Sequence, residues 1–404
     1  MKFDTIIIGG GLAGLTAGIS LVNKGQKTLI VSSGQSALHF FSGSFELLSS
    51  SDNPFDAMKS LPVSHPYSKI GKDNILRLAG SAVPFFKSAG VTLSGETSHK
   101  RVTPMGFLKN AWLTSDGLLT VPADGTLPWK KAAVVNISGF LDFHSPFVCA
   151  GLEKCGLECR EFAVTLPELE KLRHNPTEMR STNIAKTLTG EVLDKFAAEI
   201  ERVSAGCDVV ILPAVVGIQD ESECKRLCSL VSRPVKMVAT FPPSVPGIRI
   251  QMQLKRQFCA AGGTFMLGDT VTDGVFEGGL LKGVYTRNHG DTLLTADNFV
   301  IASGSFFSHG LVAERNRVYE PVFGLDVLAS DERGEWFATD IFENQPYMSF
   351  GLSVDNEFRP SLGGVTIGNL RAVGSVLGGF NPLKEGCGAG VAILTAMRVA
   401  ELIS

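Results

Sequence analysis

The sequence predicts an α/β fold: a mostly parallel sheet that carries a β-meander and is interrupted by an inserted α+β domain. Three observations predict it. Short apolar runs alternate with helical patterns along the chain, and a triplet Gly9-x-Gly11-x-x-Gly14 stands between the first run and the first helix. Glycine is also enriched, at 44 of 404 residues, with no collagen-like period or low-complexity block to explain it, so the glycines serve turns and close backbone approaches. Hydrophobic residues at 44% and charged residues at 19% describe a well-packed globular chain, longer than one core commonly supports. The formal net charge of −3, without a basic block, disfavours nucleic acid as a partner. No apolar run is long enough to cross a bilayer, and Met1-Lys2-Phe3-Asp4 leads straight into a strand rather than a signal peptide, so a cytoplasmic location is expected.

Strands are expected over residues 3–8, 27–32, 132–137, 208–212, 235–239 and 299–302. The first helix carries Leu15, Ile19 and Val22 at the spacing of a buried face and ends near Gly25, a natural C′ residue. Residues 246–298 read as a helix over 249–261 ended by Gly262-Gly263, then a strand over 264–267. Further strands follow, separated by Gly278-Gly279 and His289-Gly290. This meander delivers the chain to Phe299. Residues 61–245 carry more prolines and mixed patterns, which makes 1–60, 246–310 and 360–404 a discontinuous cofactor domain. The inserted domain, for substrate, cap or partner contact, is then 61–245 with 311–359. Of the eight cysteines, Cys155 and Cys159, like Cys224 and Cys228, stand four apart. That matches neither Cys-x-x-Cys zinc spacing nor an iron–sulfur run, and no metal site is expected.

Strand, glycine loop and helix together form a phosphate cradle. Gly9 permits the tight turn, Gly11 leaves room for the ligand, Gly14 allows close helix–strand packing, and the helix N-terminus offers unpaired N–H groups with about half a positive charge. A Rossmann-like flavin-binding domain follows from what comes next. The second strand finishes on Ser32 and Ser33 rather than on the acid that holds an adenosine ribose, and no acidic residue lies between Asp4 and Glu46. The first arginine is Arg77, which gives no support to NADP. FMN, a cofactor with the phosphate but without the adenosine, is the expectation; FAD is the alternative. Ser32, Ser33 and Gly34 would help hold a terminal phosphate. A second glycine turn at Gly304, a third at Gly374, Ser375, Gly378 and Gly379, and a turn over 386–390 with Gly388 and Ala389, followed by a helix over 391–403, occur in the order by which flavoprotein chains return to their cofactor.

With these segments in place the chain resembles the family of the B subunit of anaerobic glycerol-3-phosphate dehydrogenase, within the flavoproteins of the two-dinucleotide-binding-domain group. The resemblance is carried by Gly34-Gln35-Ser36-Ala37-Leu38-His39-Phe40, Phe241-Pro242-Pro243-Ser244-Val245 with Gly247-Ile248-Arg249, Gly304-Ser305-Phe306-Phe307, and Gly374-Ser375-Val376-Leu377-Gly378-Gly379-Phe380. It implies FMN, a flavin-bearing catalytic A subunit and a membrane-associated iron–sulfur C subunit as partners. It also implies oxidation of glycerol 3-phosphate to dihydroxyacetone phosphate in anaerobic respiration, with electrons passed towards quinone. Through the C subunit such a chain would sit at the cytoplasmic face of the inner membrane.

Oxidising a secondary alcohol this way needs a base for the hydroxyl proton and a cationic pocket for the phosphate. The candidate bases are His39, close to the glycine loop in sequence, and His289 and His309 near the returning strand; Arg249 and Arg315 are the candidate phosphate ligands, because a guanidinium grips phosphate in two places. Ser42, Gly43 and Ser44 are expected to line the ring. Two classes of function stay open: a subunit that oxidises the substrate at its own flavin, and an electron-relay or scaffold subunit whose partner does so. A stand-alone FAD oxidoreductase is a third.

Overall fold

The computed structural model describes residues 2–95, 98–175 and 177–403. In chain order its principal elements begin with β1 (Lys2–Ile8), α1 (Leu12–Val22), β2 (Thr28–Ser32) and α2 (Lys72–Ser88). Next come β3 (Lys131–Ile137), α3 (Ser145–Glu153), β4 (Glu158–Val164), α4 (Gly190–Val203), β5 (Val209–Pro213), α5 (Ser222–Leu230) and β6 (Val235–Val238). The chain continues through α6 (Val245–Ala260), β7 (Thr264–Leu267), β8 (Val271–Glu277), β9 (Leu280–Thr286) and β10 (Leu294–Ile301), and closes with β11 (Leu370–Ala372) and α7 (Gly388–Leu402).

The chain divides into two compact units. The first comprises residues 1–37, 46–90 and 254–404; the second comprises 38–45 and 91–253. Compared with the sequence-based boundaries, 61–90 and 311–359 group with the glycine-loop unit, whereas 38–45 and 246–253 group with the other. The reason is packing that composition does not reveal. The helix Pro66–Ile70 and α2 lie against α7, with Tyr67 fully buried there and its hydroxyl 2.6 Å from the Leu47 carbonyl.

In the first unit the strand order is β7-β2-β1-β10, all parallel, and β11 continues in parallel along the last residues of β10. Ile6, Ile7, Leu29, Ile30, Val300 and Ile301 are buried, as a sheet covered on both faces requires, which is why these strands read as unbroken apolar runs. β8 and β9 pair antiparallel across Gly278-Gly279, where both φ angles are positive (59° and 74°), the conformation of a two-residue hairpin turn. β9 then pairs with the start of β10, completing the meander. The strand expected over 299–302 is longer than its apolar run: β10 starts at Leu294 because its first residues pair with β9 and β1 before that run begins.

α6 also starts earlier than expected, at Val245, through Pro246 and Gly247. Proline is tolerated in a first helical turn, where its missing N–H has no partner to lose, and the Ser244 hydroxyl accepts from the Gly247 N–H at 3.1 Å. α7 likewise begins inside the expected glycine turn, at Gly388, where the Val391 N–H already donates to Cys387 O at 2.8 Å; Gly390 packs there so closely that a Cβ on it would stand 2.2 Å from the Tyr67 hydroxyl.

The second unit holds its own parallel sheet, ordered β4-β3-β5-β6, with α3, α4 and α5 as crossovers. Val134, Val210, Ile211, Leu193, Phe196 and Ile200 are among the residues of its separate core.

Candidate functional site

Four glycine-bearing segments converge at the carboxyl ends of β2, β1, β10 and β11. In open α/β sheets, ligands bind outside that edge. Gly9 N–H donates to Val31 O (2.9 Å), Ala302 N–H to Ile8 O (2.8 Å) and Val373 N–H to Ile301 O (3.0 Å), which ties the loops that follow the strands edge to edge. Their approach demands glycine. A Cβ on Gly9, where φ is +116°, would lie 2.2 Å from Ala302 O; one on Gly14 would lie 1.9 Å from Gly9 O; one on Gly374 would lie 2.7 Å from the Ala13 Cβ. Gly11 differs: its nearest neighbour would be Ser36 Cβ at 3.7 Å, so a side chain there meets no wall and would fill the cradle itself.

α1 begins beside that open space with Gly11 at its N-cap, no side-chain cap and no acid in its first turn, which leaves its orphan N–H groups to an anion. α7 also lacks a side-chain cap and an acid in its first turn, at Gly388 and Ala389. At the turn after β10, the Ser303 Oγ is buried and lacks a hydrogen-bond partner among the described residues. An unpaired buried hydroxyl is costly unless a ligand atom meets it. Glycine cradle, uncapped helix ends and orphan hydroxyl together fit a phosphate-bearing cofactor with polar ring edges. Beside them Ser305, Phe306, Tyr347, Phe350, Ser375 and Phe380 help to line a cavity of about 190 Å³.

The end of β2 answers the question of the missing acid. Ser32 is buried, with its Oγ 3.2 Å from Gly34 O, and Ser33 is exposed. A carboxylate does stand there, supplied by the neighbouring strand: Gly268 and Asp269, just past β7, both donate their N–H groups to Ser32 O. Asp269 Oδ1 accepts from the N–H groups of Thr270 (2.8 Å) and Asn288 (3.0 Å), while Oδ2 lies 3.0 Å from His289 Nδ1, and the Thr286 hydroxyl bonds to the same carboxylate. Burial pushes its pKa up, yet these hydrogen bonds hold it below the ordinary value. A carboxylate has about four acceptor sites, and all four are engaged. Sequence reasoning missed Asp269 because it follows a strand far downstream of β2; only strand pairing brings it to Ser32.

The remaining sequence candidates divide between the units. Gly304 touches the third turn, since a Cβ there would lie 3.8 Å from Ser375 Oγ. Gly378 and Gly379 commit their N–H groups to Leu352 and Ser349 carbonyls, which is packing within the loop. His289 is held by Asp269 and Thr286, and His309 is exposed in a left-handed turn at φ 59°. Arg315 is exposed, its carbonyl accepting from Arg333.

His39, Ser42, Gly43, Ser44 and Arg249 belong to the second unit. Burial lowers the pKa of His39, partly offset by the Gln251 side chain, so its imidazole stays neutral to lower pH than a free one. Ser44 is buried in a hydroxyl chain: Thr114 Oγ1 donates to Ser44 Oγ (3.1 Å) and lies 2.8 Å from His99 Nε2. Gly43, at φ +83°, would place a Cβ 2.6 Å from Leu118. Arg249 is buried, and its Nη1 donates to the carbonyls of Val216 (3.2 Å) and Gly217 (2.7 Å).

In the first unit His65, Glu385 and Cys387 bring ligand-type atoms within 4.8 Å of one another. The hydrogen bonds argue against a metal. His65 Nδ1 accepts from the Tyr67 N–H (3.0 Å), so Nε2 keeps its proton and donates it to Glu385 Oε2 at 2.9 Å. A metal-ligating histidine has the reverse arrangement, donating from the ring nitrogen that does not bind. Burial and the nearby Glu385 carboxylate push the Cys387 thiol well above its usual range, which leaves it neutral and unreactive.

Comparison with known proteins narrows the reading of this crevice. The FAD binding domain family matches residues 4–391. The B subunit of anaerobic glycerol-3-phosphate dehydrogenase of Yersinia enterocolitica is 42% identical over 100% of this chain and 98% of its own length, and that of Pectobacterium atrosepticum 39% over 100% and 99%. The chain belongs to the family of the B subunit of anaerobic glycerol-3-phosphate dehydrogenase. The fold resemblance to a glycine oxidase from Bacillus cereus, at TM-score 0.37 and 13% identity over 100% of this chain and 95% of that one, is too distant to bear on chemistry. Membership in the family, together with the FAD binding domain match, supports a flavin as the cofactor of this chain. Among the described residues no helix is long and apolar enough to cross a membrane.

Proposed function

We propose that this chain is the FMN-bearing subunit of a complex that oxidises sn-glycerol 3-phosphate to dihydroxyacetone phosphate and passes the electrons towards quinone. The observation that carries the FMN assignment is the state of the β2 terminus: two serines and a carboxylate whose acceptor sites are already engaged leave an adenosine ribose without a partner. Gly9, Gly11 and Gly14 with the α1 N–H groups would hold the single phosphate, and Ser303 and the α7 N-terminus would meet polar atoms of the ring system. A flavin bound there supplies the two-electron acceptor.

A specific observation favours the relay reading over oxidation at this chain's own flavin. Arg249 is turned into backbone carbonyls and Arg315 stands exposed, so neither offers a preformed phosphate clamp. Both readings place the chain with an A subunit and an iron–sulfur C subunit. The experiment has two stages. The cofactor released on denaturation is identified by mass spectrometry, with FMN expected and adenine-containing flavin contradicting the assignment. The flavin-loaded chain is then mixed with glycerol 3-phosphate without oxygen. Loss of the visible flavin band with the isolated chain supports oxidation here, and loss only after the A subunit is added supports the relay.

A further inference from the structure

Within the first unit, residues 330–350 form a loop that is tightly braced at its base and inside. Trp336 is buried and donates from Nε1 to Ser330 O (2.7 Å), and Tyr347 N–H closes the base on Trp336 O (2.8 Å). Gln345 spans the interior: its Oε1 accepts from Ala338 N–H (3.0 Å) and its Nε2 donates to Asp340 O (2.8 Å). Asp340 caps the tip, its Oδ1 accepting from Phe342 N–H at 2.9 Å and its carbonyl from Glu343 N–H at 3.1 Å. This bracing holds out Ile341 and Phe342, which are 79% and 95% exposed. Two adjacent large apolar side chains fixed in water, on a loop with this many internal hydrogen bonds, are an anchor ordered before its partner arrives, which lowers the entropy lost on binding.

Charge selects the kind of partner. Between residues 331 and 343 five carboxylates (Asp331, Glu332, Glu335, Asp340 and Glu343) stand against the single Arg333. An anionic bilayer would repel such a surface, whereas a protein pocket rimmed by lysine and arginine would complement it. Location selects its role. Tyr347, which closes the loop, also lines the cavity shared with Ser305 and Ser375, next to the second and third glycine turns, and its ring meets Phe306 at 6.4 Å between centroids. Electron transfer weakens steeply with distance, so an electron-accepting protein must dock close to the redox crevice.

We propose that the Ile341–Phe342 tip is the anchor by which this chain docks a redox partner protein that presents an apolar pocket with a basic rim. The inference rests on the multi-subunit reading above. Its test uses the full chain co-expressed with the A and C subunits, with retention measured by size-exclusion chromatography and light scattering at low and high salt. The Ile341→Ser/Phe342→Ser double variant is expected to weaken partner binding about tenfold or more while keeping its flavin and its unfolding midpoint, since neither side chain is buried. Asp340 helps to shape the tip, so charge reversal is made at Glu343→Lys, which should weaken binding most at low salt. Retention of the partner by the double variant at the wild-type level would overturn the proposal. So would tip-dependent flotation of the wild-type chain with phosphatidylglycerol or phosphatidylcholine vesicles, which would make a membrane the occupant. Failure of the wild-type chain to co-elute with either subunit would instead overturn the multi-subunit reading, and the docking inference with it.

Discussion

Gly11 separates cofactor binding from folding, because a side chain at Gly9 or Gly14 would strike backbone whereas one at Gly11 projects into open space. Gly11→Val is therefore expected to cost about 1 kcal/mol or less of folding stability, the scale of a changed N-cap, and to weaken flavin binding about tenfold or more. Calorimetric unfolding and flavin fluorescence titration of the same protein check both halves. His39 makes a pH-dependent prediction. Its folded pKa lies below the unfolded value of 6.5, so the unfolded chain binds more protons between the two. Its contribution to stability is fully present above 6.5 and is lost as pH falls towards the lowered folded value. His39→Asn should flatten that limb of the stability curve, which calorimetric unfolding at a series of pH values measures. At this scale the glycine cradle was legible because its three positions are local in sequence. Asp269 and Ser303 were not: each owes its place to strand pairing or to a turn packed against other turns, and neither leaves a spacing signal.

Among elements, β1, α1 and β2 could be read directly, since buried parallel strands and an apolar helix that follows a glycine loop and ends before Gly25 each have a one-dimensional signature, although α1 is buried on nearly every side and not on the one face its spacing suggested. The order β4-β3-β5-β6 could not, although β3, β5 and β6 were expected as strands, because pairing order depends on crossovers rather than on composition. β4 itself, largely exposed and interrupted by charges, carries no apolar run to reveal it. The junction of Pro66–Ile70 with α7 was equally hidden, and it yields a test. His65 is 1% exposed on its side chain and donates to Glu385, whose pKa burial pushes up but whose bonds to His65 and Asn381 draw it below the ordinary value. Glu385→Ala leaves that imidazole N–H without its acceptor and is expected to cost about 1–3 kcal/mol; Glu385→Gln keeps an acceptor and should cost less. The sign of the pH effect follows from the lowered carboxylate pKa. The wild-type advantage over Glu385→Gln is present above the unfolded value of 4.5 and disappears as pH falls through the folded one, which urea unfolding at a series of pH values measures.

For the whole molecule, the division into two units follows packing that the glycine and proline content of the sequence only partly tracks, and the cofactor's contacts proposed above concentrate in the first unit. Ligand linkage then provides a test of FMN against FAD that needs no turnover. A ligand that binds the folded chain alone stabilises it by about 2.7 kcal/mol when present at a hundred times its Kd. FAD shares the ring and the first phosphate with FMN but must also accommodate a ribose where Asp269 has no free acceptor site. At equal concentration FAD should therefore stabilise the chain less, by about 1.4 kcal/mol for each tenfold difference in Kd. Asp269→Asn distinguishes the two accounts of that carboxylate. If it only braces Thr270, Asn288 and His289, the substitution lowers the unfolding midpoint of the cofactor-free chain and leaves the ratio of FMN to FAD affinity unchanged. A selective loss of FAD affinity would instead make Asp269 a ribose ligand, and the dinucleotide would replace FMN as the native cofactor.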